Sequence, residues 1–434
     1  MKLFLGTPLT LLVIVLTHGS LFSQADSLIL ISGVVRDSES KNPIEYAHLY
    51  IPNTSIGTIT NSEGIFFIKL PSNFIGNELL ISSIGFNSHS IKISHKLQPK
   101  EDILLIPATY QLKEVTVSAK KYDSSAQILK LAIQNIENNY TKKPHLLEGF
   151  FRESTIQDTV YTRIIEAAIR IQEVGYQKNT IEEGSMEMIK NRVKVIEIRK
   201  TNDLRKKDFL SKAFTWAFGE RNELYALLLN NYVRILGKKS SSHFLAAQSI
   251  AKLDIELTKT TEWEGEVVYQ ISVKDVNPKM FQWTEFTFFI KKEDYAILSI
   301  DFKAQVNPPA SVDQQNRFIE GKYFSTSHIE YRKMHDKYFP VFIDAKHFPS
   351  GASTYTDNTA KSALQFVHTQ FLLTNLYTDN FSKIKWKDAE KRDKDLYESK
   401  REYNEYFWNS YNVIKLDKLV KDPTKMIRIK SLKD

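Results

Sequence analysis

Seven long segments rich in β-branched and aromatic residues follow one another in the second half of the chain, and they limit its fold more than any other feature. They are Ile250–Thr260, Glu266–Val273, Phe281–Lys291, Ala296–Val306, Phe318–Met334, Tyr338–Phe348 and Ala363–Leu373. Turn-forming residues at Trp263–Gly265 and Lys291–Asp294 lie where short hairpin connections are expected. Consecutive hairpins of this length predict a large, curved antiparallel sheet. The pattern leaves open whether this sheet forms a half-barrel.

Shorter strands are predicted in the N-terminal part of the chain, between residues 28 and 107. The strand-like segments are Leu28–Asp37, Ala47–Ile51, Ile65–Leu70, Glu78–Ser83, His89–Ile93 and Ile103–Ile106. Turn residues separate them, and no stretch among them has helical periodicity. The block is therefore predicted to be a small antiparallel β-sandwich.

The remaining chain is divided into a linker, residues 108–125, and an α+β domain, residues 126–434. A helix is expected after Ser124 or Ser125, because Ile128, Leu129 and Ala132 would fall on one face. Two helices broken near Gly219 are expected in the region 208–232. The charged stretch 386–411 is predicted to be a helix, a lid or strut that packs Tyr403, Phe407, Trp408 and Tyr411 onto the sheet.

The first 24 residues have the pattern of a secretory signal peptide. Lys2 precedes the apolar run Leu9–Leu16, and small or polar residues follow, so cleavage is expected after Ser23 or Ala25. The alternative is an uncleaved membrane anchor, but the apolar run is shorter than the roughly 20 residues that span a bilayer. We therefore expect an exported protein, in the periplasm or associated with the outer membrane.

Charge and cysteine content exclude several classes of function. The chain has 59 Lys and Arg against 51 Asp and Glu, a net charge of +8, and it has no cysteine. The absence of cysteine excludes disulfides, thiol nucleophiles and Cys-ligated zinc. Basic and acidic residues are interspersed even in the densest stretch, Lys383–Glu402, as on a solvated surface. Nucleic acid is not expected as a partner.

The N-terminal block resembles the carboxypeptidase regulatory-like domain, a transthyretin-like β-sandwich common in Bacteroidetes envelope proteins. The resemblance is carried by Ile31–Asp37, Pro43–Tyr50, Ile56–Phe67, Leu80–Phe86 and Ile103–Pro107. Its most specific part is Gly57–Phe66, which has the pattern G-T-x-T-N-x-x-G-x-F. There, Gly57 and Gly64 allow tight turns, and Asn61 can close an Asx-turn. These three are predicted to be structural turn residues.

The rest of the chain is similar to the C-terminal part of an uncharacterised Bacteroidetes family that carries the same leader domain. Its sheet region is similar to lipoprotein-carrier-like half-barrels. The fold class expected from these resemblances is mainly β with some helices: a transthyretin-like sandwich followed by a large curved antiparallel sheet, either open or a half-barrel. No activity comes with either resemblance.

One pattern could belong to a zinc peptidase, the His-x-x-Glu motif formed by His145 and Glu148 with His243 further on. His145 and Glu148 lie in a predicted strand, where residues three apart point to opposite faces. The regulatory-like domain also comes first here, with no peptidase domain before it. We therefore expect no metal ligand, no catalytic residue and no cofactor.

Other polar residues of the predicted sheet have simpler interpretations. Asp301 and Glu285 fit the solvated face of a half-exposed sheet. The four histidines His328, His335, His347 and His368 are scattered without the spacing of metal ligands.

Three functions follow from these observations. The favoured one is an exported envelope protein that acts non-enzymatically as a binding or scaffold module. Its expected partner is an envelope protein or an apolar or glycan ligand. Peripheral contact with the outer membrane is an option. The alternative is a periplasmic carrier that holds a lipid or other apolar ligand in a half-barrel. The third, less favoured, is a zinc-dependent hydrolase that uses His145 and Glu148.

Overall fold

The computed structural model describes residues 28–94, 101–108, 124–157, 160–176, 191–204, 222–228, 230–234, 236, 253–275, 281–306, 324–347, 365–391 and 394–417. The predicted signal segment, most of the predicted linker 108–125, His243 and the first part of the predicted helical region 208–232 lie outside these residues.

Seventeen strands are formed by the described residues: β1 Leu28–Asp37, β2 His48–Tyr50, β3 Gly57–Ile59, β4 Ile65–Pro71, β5 Glu78–Ser82, β6 His89–Lys92, β7 Glu101–Leu105, β8 His145–Gln157, β9 Val160–Glu173, β10 Arg192–Lys200, β11 Asp254–Trp263, β12 Glu266–Asp275, β13 Phe281–Lys291, β14 Ile297–Val306, β15 Phe324–Met334, β16 Lys337–His347 and β17 Gln365–Tyr377. The described α-helices are α1 Ser125–Gln134, α2 Ile136–Asn139, α3 Glu223–Leu228 and α4 Glu405–Ser410. Single 3-10 turns occupy Ser72–Phe74, Tyr232–Arg234, Trp386–Asp388 and Leu396–Glu398.

Strands β1–β7 form the predicted β-sandwich. One sheet has the order β4-β1-β7 and the other β3-β2-β5-β6. Alternate residues of β1 and β4 are buried between them, among them Ile31, Val35, Phe66 and Ile68, as the period of two in a strand requires. One detail departs from the prediction of an antiparallel sandwich, because β7 pairs with β1 in parallel.

Strands β8–β17 form one large antiparallel sheet in the order β10-β9-β8-β17-β16-β15-β14-β13-β12-β11. Every neighbouring pair is a sequential hairpin except β8 and β17, which join the two ends of the domain. The edge strands β10 and β11 are not paired with each other, so the described sheet is open. The prediction of a mainly β chain with a large antiparallel sheet and few helices is confirmed.

The two faces of the large sheet are covered differently. The face that carries Leu147 and Phe151 packs against α1, α2 and α3, and we call it the helix face. The face that carries Phe150 and Phe342 packs against the sandwich and the C-terminal residues, and we call it the sandwich face. Phe150 and Phe151 are adjacent and both fully buried, because successive side chains of a strand point to opposite faces. Strands β9 and β16 are therefore buried on both faces, whereas the edge strand β11 is largely exposed.

The predicted charged helix over residues 386–411 is wrong. The described C-terminal segment, residues 384–391 and 394–417, contains two 3-10 turns and α4, and the rest is extended or irregular. Basic side chains of the sheet bind its backbone carbonyls: Lys200 donates to Tyr397 and Ser399, and Arg152 donates to Ile414 at 2.5 Å. Side chains of the sheet, and not the backbone N–H groups of a helix, therefore satisfy these carbonyls. The charge pattern of the segment suits a helix but contains no sign of these distant donors. Its aromatic residues Tyr403, Phe407, Trp408 and Tyr411 pack against the sandwich face.

Candidate functional site

The three turn residues singled out by the sequence lie within the sandwich. The Asn61 side-chain oxygen accepts hydrogen bonds from the backbone N–H groups of Glu63 at 3.1 Å and Ile65 at 2.9 Å. Gly64 has a φ of 71°, and a Cβ there would lie 2.5 Å from the Val35 carbonyl oxygen. At Gly57 a Cβ would lie 3.0 Å from the Leu49 carbonyl oxygen. All three positions serve backbone geometry.

His145 and Glu148 are not brought together. His145 lies on the helix face, where its ring packs edge-on against Phe339 and its Nδ1 lies 3.1 Å from the Lys143 carbonyl oxygen. Burial lowers the pKa of His145 to about 4, so the ring is neutral at physiological pH. Glu148 instead accepts a hydrogen bond from Arg170 at 2.7 Å. Within the described part of the chain, no three His, Asp or Glu side chains are arranged to hold a metal ion.

A chain of ionisable side chains connects the sandwich to the large sheet. His48 of β2 forms an ion pair with Glu330 of β15. The other oxygen of Glu330 lies 2.7 Å from Nε2 of His328, and Nδ1 of His328 lies 2.5 Å from the Asp301 carboxylate. His328 and Glu330 share the sandwich face because they are two residues apart on β15, and Asp301 is the register partner of His328 on β14. We call these four residues the interface clamp.

Protonation states in the interface clamp are set by competing effects. Burial alone would lower the pKa of His328, but the carboxylates of Asp301 and Glu330 outweigh it and raise that pKa to about 10. Burial alone would raise the pKa of Glu330, but His48 and His328 lower it to about 2. The clamp therefore holds a charged imidazolium between carboxylates at neutral pH.

Polar contacts extend the clamp along the same strand. Arg332, two residues beyond Glu330, donates a hydrogen bond to the Thr54 carbonyl at 3.1 Å, and its guanidinium lies 4.1 Å from the centre of the Tyr50 ring. The Tyr50 hydroxyl donates to the Glu264 carboxylate at 2.6 Å. These contacts fix the β2–β3 loop of the sandwich, residues 51–56, against the sheet.

Beside this loop lies a cleft of about 540 Å³ whose walls come from both the sandwich and the sheet. The sandwich contributes Asn53, Thr54 and Ser55, while the β15–β16 turn and the end of β17 contribute Lys333, Met334, His335, Asp336 and Leu376. The Ser55 hydroxyl donates to the Thr374 carbonyl at 3.0 Å. A cleft of this size is within the range of small-molecule sites, about 300–1,000 Å³. We call it the interdomain cleft.

The turn that forms one wall of this cleft has an uncommon sequence. His335 and Asp336 connect β15 to β16, and both have positive φ, 50° and 64°. Two-residue hairpin turns with this backbone favour glycine, most strongly at the second position. The β11–β12 turn follows that rule with Glu264 and Gly265. Asn53, on the opposite wall, also has a positive φ, 61°. Left-handed residues other than glycine therefore meet at the interdomain cleft.

Among the described residues that line the cleft, no catalytic triad is formed. Acyl-transfer chemistry needs a serine bonded to a histidine that a carboxylate orients. Here Ser55 directs its hydroxyl to a backbone carbonyl. His335 and Asp336 are both exposed on the turn, and no hydrogen bond joins them in the described structure. The described side chains of the cleft offer hydrogen-bonding groups on both walls.

The remaining histidines of the large sheet pair with carboxylates. His368 Nε2 lies 2.6 Å from the Asp344 carboxylate, and His347 Nε2 lies 3.0 Å from that of Glu223. The interface clamp was not predicted from the sequence, in which Asp301 fits a solvated carboxylate. The two-residue spacing of His328 and Glu330 was visible in the sequence, but His48 is far away in the chain and joins them only through the packing of the two domains.

Comparisons with known proteins agree with the N-terminal prediction. Residues 31–117 match the model of the CarboxypepD_reg-like domain family, so the recognition of a carboxypeptidase regulatory-like domain is confirmed. No curated protein sequence matches the chain. None of the helices in the described residues has the length and apolar composition needed to cross a membrane.

Three solved structures are similar to part of the chain. One is a domain described as an outer membrane lipoprotein-sorting protein from Vibrio parahaemolyticus, with 8% identity, a TM-score of 0.24, and coverage of 60% of this chain and 95% of that one. The second is a LolA superfamily protein from Nitrosomonas europaea, with 8% identity, a TM-score of 0.21, and coverage of 60% and 95%. The third is a DUF1329 family protein from Desulfovibrio piger, with 9% identity, a TM-score of 0.23, and coverage of 60% and 96%.

Proposed function

We propose that this chain is an exported, non-enzymatic binding module of the cell envelope, and that its ligand lies in the interdomain cleft. The observation that carries the proposal is the origin of the walls of the cleft. Because Asn53–Ser55 come from the sandwich and Lys333–Asp336 from the sheet, the site exists only when the two domains are docked. Arg332 and Ser55 tie the loop to the sheet, so the cleft is preformed and binding has a small ordering cost.

The surroundings of the histidines support a non-enzymatic role. His48, His328, His347 and His368 lie against carboxylates, and His145 is buried and neutral. A histidine that acts as a general base must reach the proton that it abstracts. In the described structure these five rings are used to join elements of the fold.

The carrier function, in which an apolar ligand lies on the large sheet, has less support. The described side chains of the helix face fill the space above it, and Tyr140, Phe286, Phe288 and Tyr331 are almost completely buried there. An acyl chain would have to displace aromatic residues that already pack closely. The interdomain cleft, in contrast, is open.

Export is proposed from the N-terminal sequence. Lys2 and the apolar run Leu9–Leu16 have the pattern of a cleaved signal, which would release the chain into the periplasm or to the outer membrane. The mass of the purified mature protein tests this part. We expect it to begin at Gln24 or Asp26, and a full-length mass would contradict cleavage.

Native mass spectrometry of the full chain, purified gently from its own cell envelope, tests the binding function. We expect a non-covalent small-molecule mass that is lost on denaturation. Leu376→Trp, which places an indole in the cleft, should abolish this mass. Leu257→Trp is the matched control, because Leu257 lies on the edge strand β11 and is 39% exposed. Both variants should keep the circular dichroism spectrum of the parent.

Two results would overturn the proposal. One is a bare mass for the parent protein. The other is a bound mass that Leu376→Trp and Leu257→Trp both retain, which would place the ligand elsewhere. A bound acyl lipid that Leu376→Trp does not displace would support the carrier function instead.

A further inference from the structure

We infer that the interdomain cleft takes a neutral, hydroxyl-rich ligand, a short oligosaccharide, rather than an acyl chain or an anion. This inference rests on the binding function proposed above and names the chemistry of its ligand. It comes from the side chains that line the cleft and from the backbone conformation that presents them.

The lining combines neutral hydrogen-bonding groups with opposite charges. Asn53, Thr54 and Ser55 supply an amide and two hydroxyls on the sandwich wall. On the sheet wall, the Lys333 ammonium and the Asp336 carboxylate have opposite signs and lie close in the chain. An amide and a carboxylate together offer donors and acceptors to a ligand whose hydroxyls are both. A ligand without net charge fits this balance best.

Three of these side chains are available to a ligand. Within the described structure, Asn53, His335 and Asp336 make no side-chain hydrogen bond to another residue, and all three are exposed. Thr54 and Ser55 already donate to the Ile51 and Thr374 carbonyls. The Thr54 oxygen also accepts from the Ile56 N–H at 3.1 Å, so the Ser55 oxygen is the more open acceptor of the two. The free groups thus lie on both walls and face the same space.

The backbone gives an independent reason to assign a role to these side chains. His335 and Asp336 occupy positive-φ positions that glycine would fill at lower cost, as Gly265 does in the equivalent β11–β12 turn. Asn53 is likewise left-handed. Strained residues that cluster at one place are typical of ligand sites. The turn keeps an imidazole and a carboxylate where folding alone would favour a residue without a side chain.

The same lining disfavours the two other ligand classes. An acyl chain needs continuous apolar walls, but of the eight lining residues that the structure describes only Met334 and Leu376 are apolar. These two provide a small apolar surface of the kind on which the C–H face of a sugar ring rests. A phosphate or carboxylate would meet Lys333, but also the Asp336 carboxylate, which repels it.

Binding to the full chain, measured by glycan array and then by calorimetry, tests the inference. The probes are neutral oligosaccharides of glucose, mannose and N-acetylglucosamine, their phosphorylated and sialylated counterparts, and palmitate. We expect saturable binding of a neutral probe. Asp336→Gly should weaken it about tenfold, the value of one lost hydrogen bond to a charged group. This variant keeps the fold, because glycine suits the turn.

Asn380→Gly is the matched control, since Asn380 is also exposed and left-handed, with a φ of 55°, but lies outside the cleft. It should bind like the parent. If the protein prefers a charged glycan or palmitate, and Asp336→Gly weakens that binding, the proposed ligand class is wrong but the binding function stands. If the protein binds none of the probes but carries a small-molecule mass when purified from the envelope, the proposed ligand class is again wrong and the binding function stands. Equal weakening by both glycine variants would overturn the assignment to the cleft.

Discussion

The ring of Tyr46 in the sandwich stacks on the ring of His328 in the large sheet, with centroids 4.3 Å apart and planes 9° from parallel. Tyr46 has a φ of 60°, a conformation that bulky residues rarely adopt. The stack covers one face of the His328 ring. The His328 side chain is 12% exposed and that of Glu330 is 15% exposed, whereas the Asp301 side chain stays 45% exposed. Docking of the two domains and the charge state of His328 are therefore linked.

The first prediction concerns the pH dependence of stability. The pKa of His328 rises from 6.5 to about 10 on folding, so its contribution is complete below pH 6.5 and is lost as the pH rises through 10. The pKa of Glu330 falls from 4.5 to about 2, so its contribution is complete above pH 4.5 and is lost as the pH falls through 2. From this pair of groups we expect the stability of the fold to be constant between pH 4.5 and pH 6.5.

Thermal unfolding of the full chain at a series of pH values measures this profile. His328→Gln should lower the unfolding temperature at pH 6 and flatten its decline above pH 6.5, because the group that loses its proton is gone. An unchanged slope in this variant would show that other groups control the alkaline limb.

The second prediction concerns a buried cluster that joins the C-terminal segment to the large sheet. Arg163 donates hydrogen bonds to Asp395 of the C-terminal segment and to Glu153 of β8, and all three side chains are almost inaccessible. Arg163→Met should cost about 3–5 kcal/mol, because two carboxylates would remain buried without the positive charge of the guanidinium. Arg170→Met is the control: the Arg170 side chain is 44% exposed, and such pairs contribute about 0–1 kcal/mol. Urea unfolding compares them, and equal losses would contradict the argument.

Sequence patterns could predict the strands because each hairpin is local. The alternation in β11–β17 and the turn at Glu264–Gly265 specify their register without reference to distant residues. The pairing of β8 with β17 and the strand β10 were not predicted. The first joins residues more than two hundred positions apart, whereas β10 has an alternating pattern, with Val193 and Val195 buried, that should have been noticed.

The candidate site was beyond the reach of local patterns for the same physical reason. His48 meets Glu330, and Asn53 faces Asp336, only after the sandwich has docked on the sheet. A clue to the cleft was the turn His335–Asp336, since a tight hairpin without glycine is unusual between two long strands. The error at residues 386–411 came from charge and aromatic spacing that suited a helix, while the basic side chains that bind its carbonyls lie elsewhere in the chain.

The third prediction tests the turn that the sequence analysis identified. Gly64 and Gly76 both have positive φ, 71° and 88°, so alanine would be strained at each. At Gly64 the new Cβ would also lie 2.5 Å from the Val35 carbonyl oxygen, whereas at Gly76 it meets nothing within 4 Å. Gly64→Ala should therefore be the more destabilising by at least about 1 kcal/mol. Chemical unfolding of both variants measures the difference, and equal stabilities would show that the backbone near Val35 yields easily.

The last prediction concerns the attachment of the C-terminal segment to the sandwich. The side-chain oxygen of Asn412 accepts from the Lys69 N–H at 2.7 Å, and its amide donates to the Lys69 carbonyl at 3.0 Å. Lys69 lies on β4, an edge strand of its sheet, so Asn412 satisfies backbone groups that no neighbouring strand reaches.

Asn412→Ala should lower stability by about 1–3 kcal/mol, the cost of leaving such groups unsatisfied. It should also speed hydrogen exchange at the Lys69 amide, while the amides of β1 and β4 that pair with each other keep their relative protection. Asn138→Ala, at an exposed position where the side chain bonds only to Asn135, is the control and should change neither quantity. If exchange at Lys69 is unaltered in Asn412→Ala, the C-terminal segment is held by Trp408 and Arg152 without help from this amide.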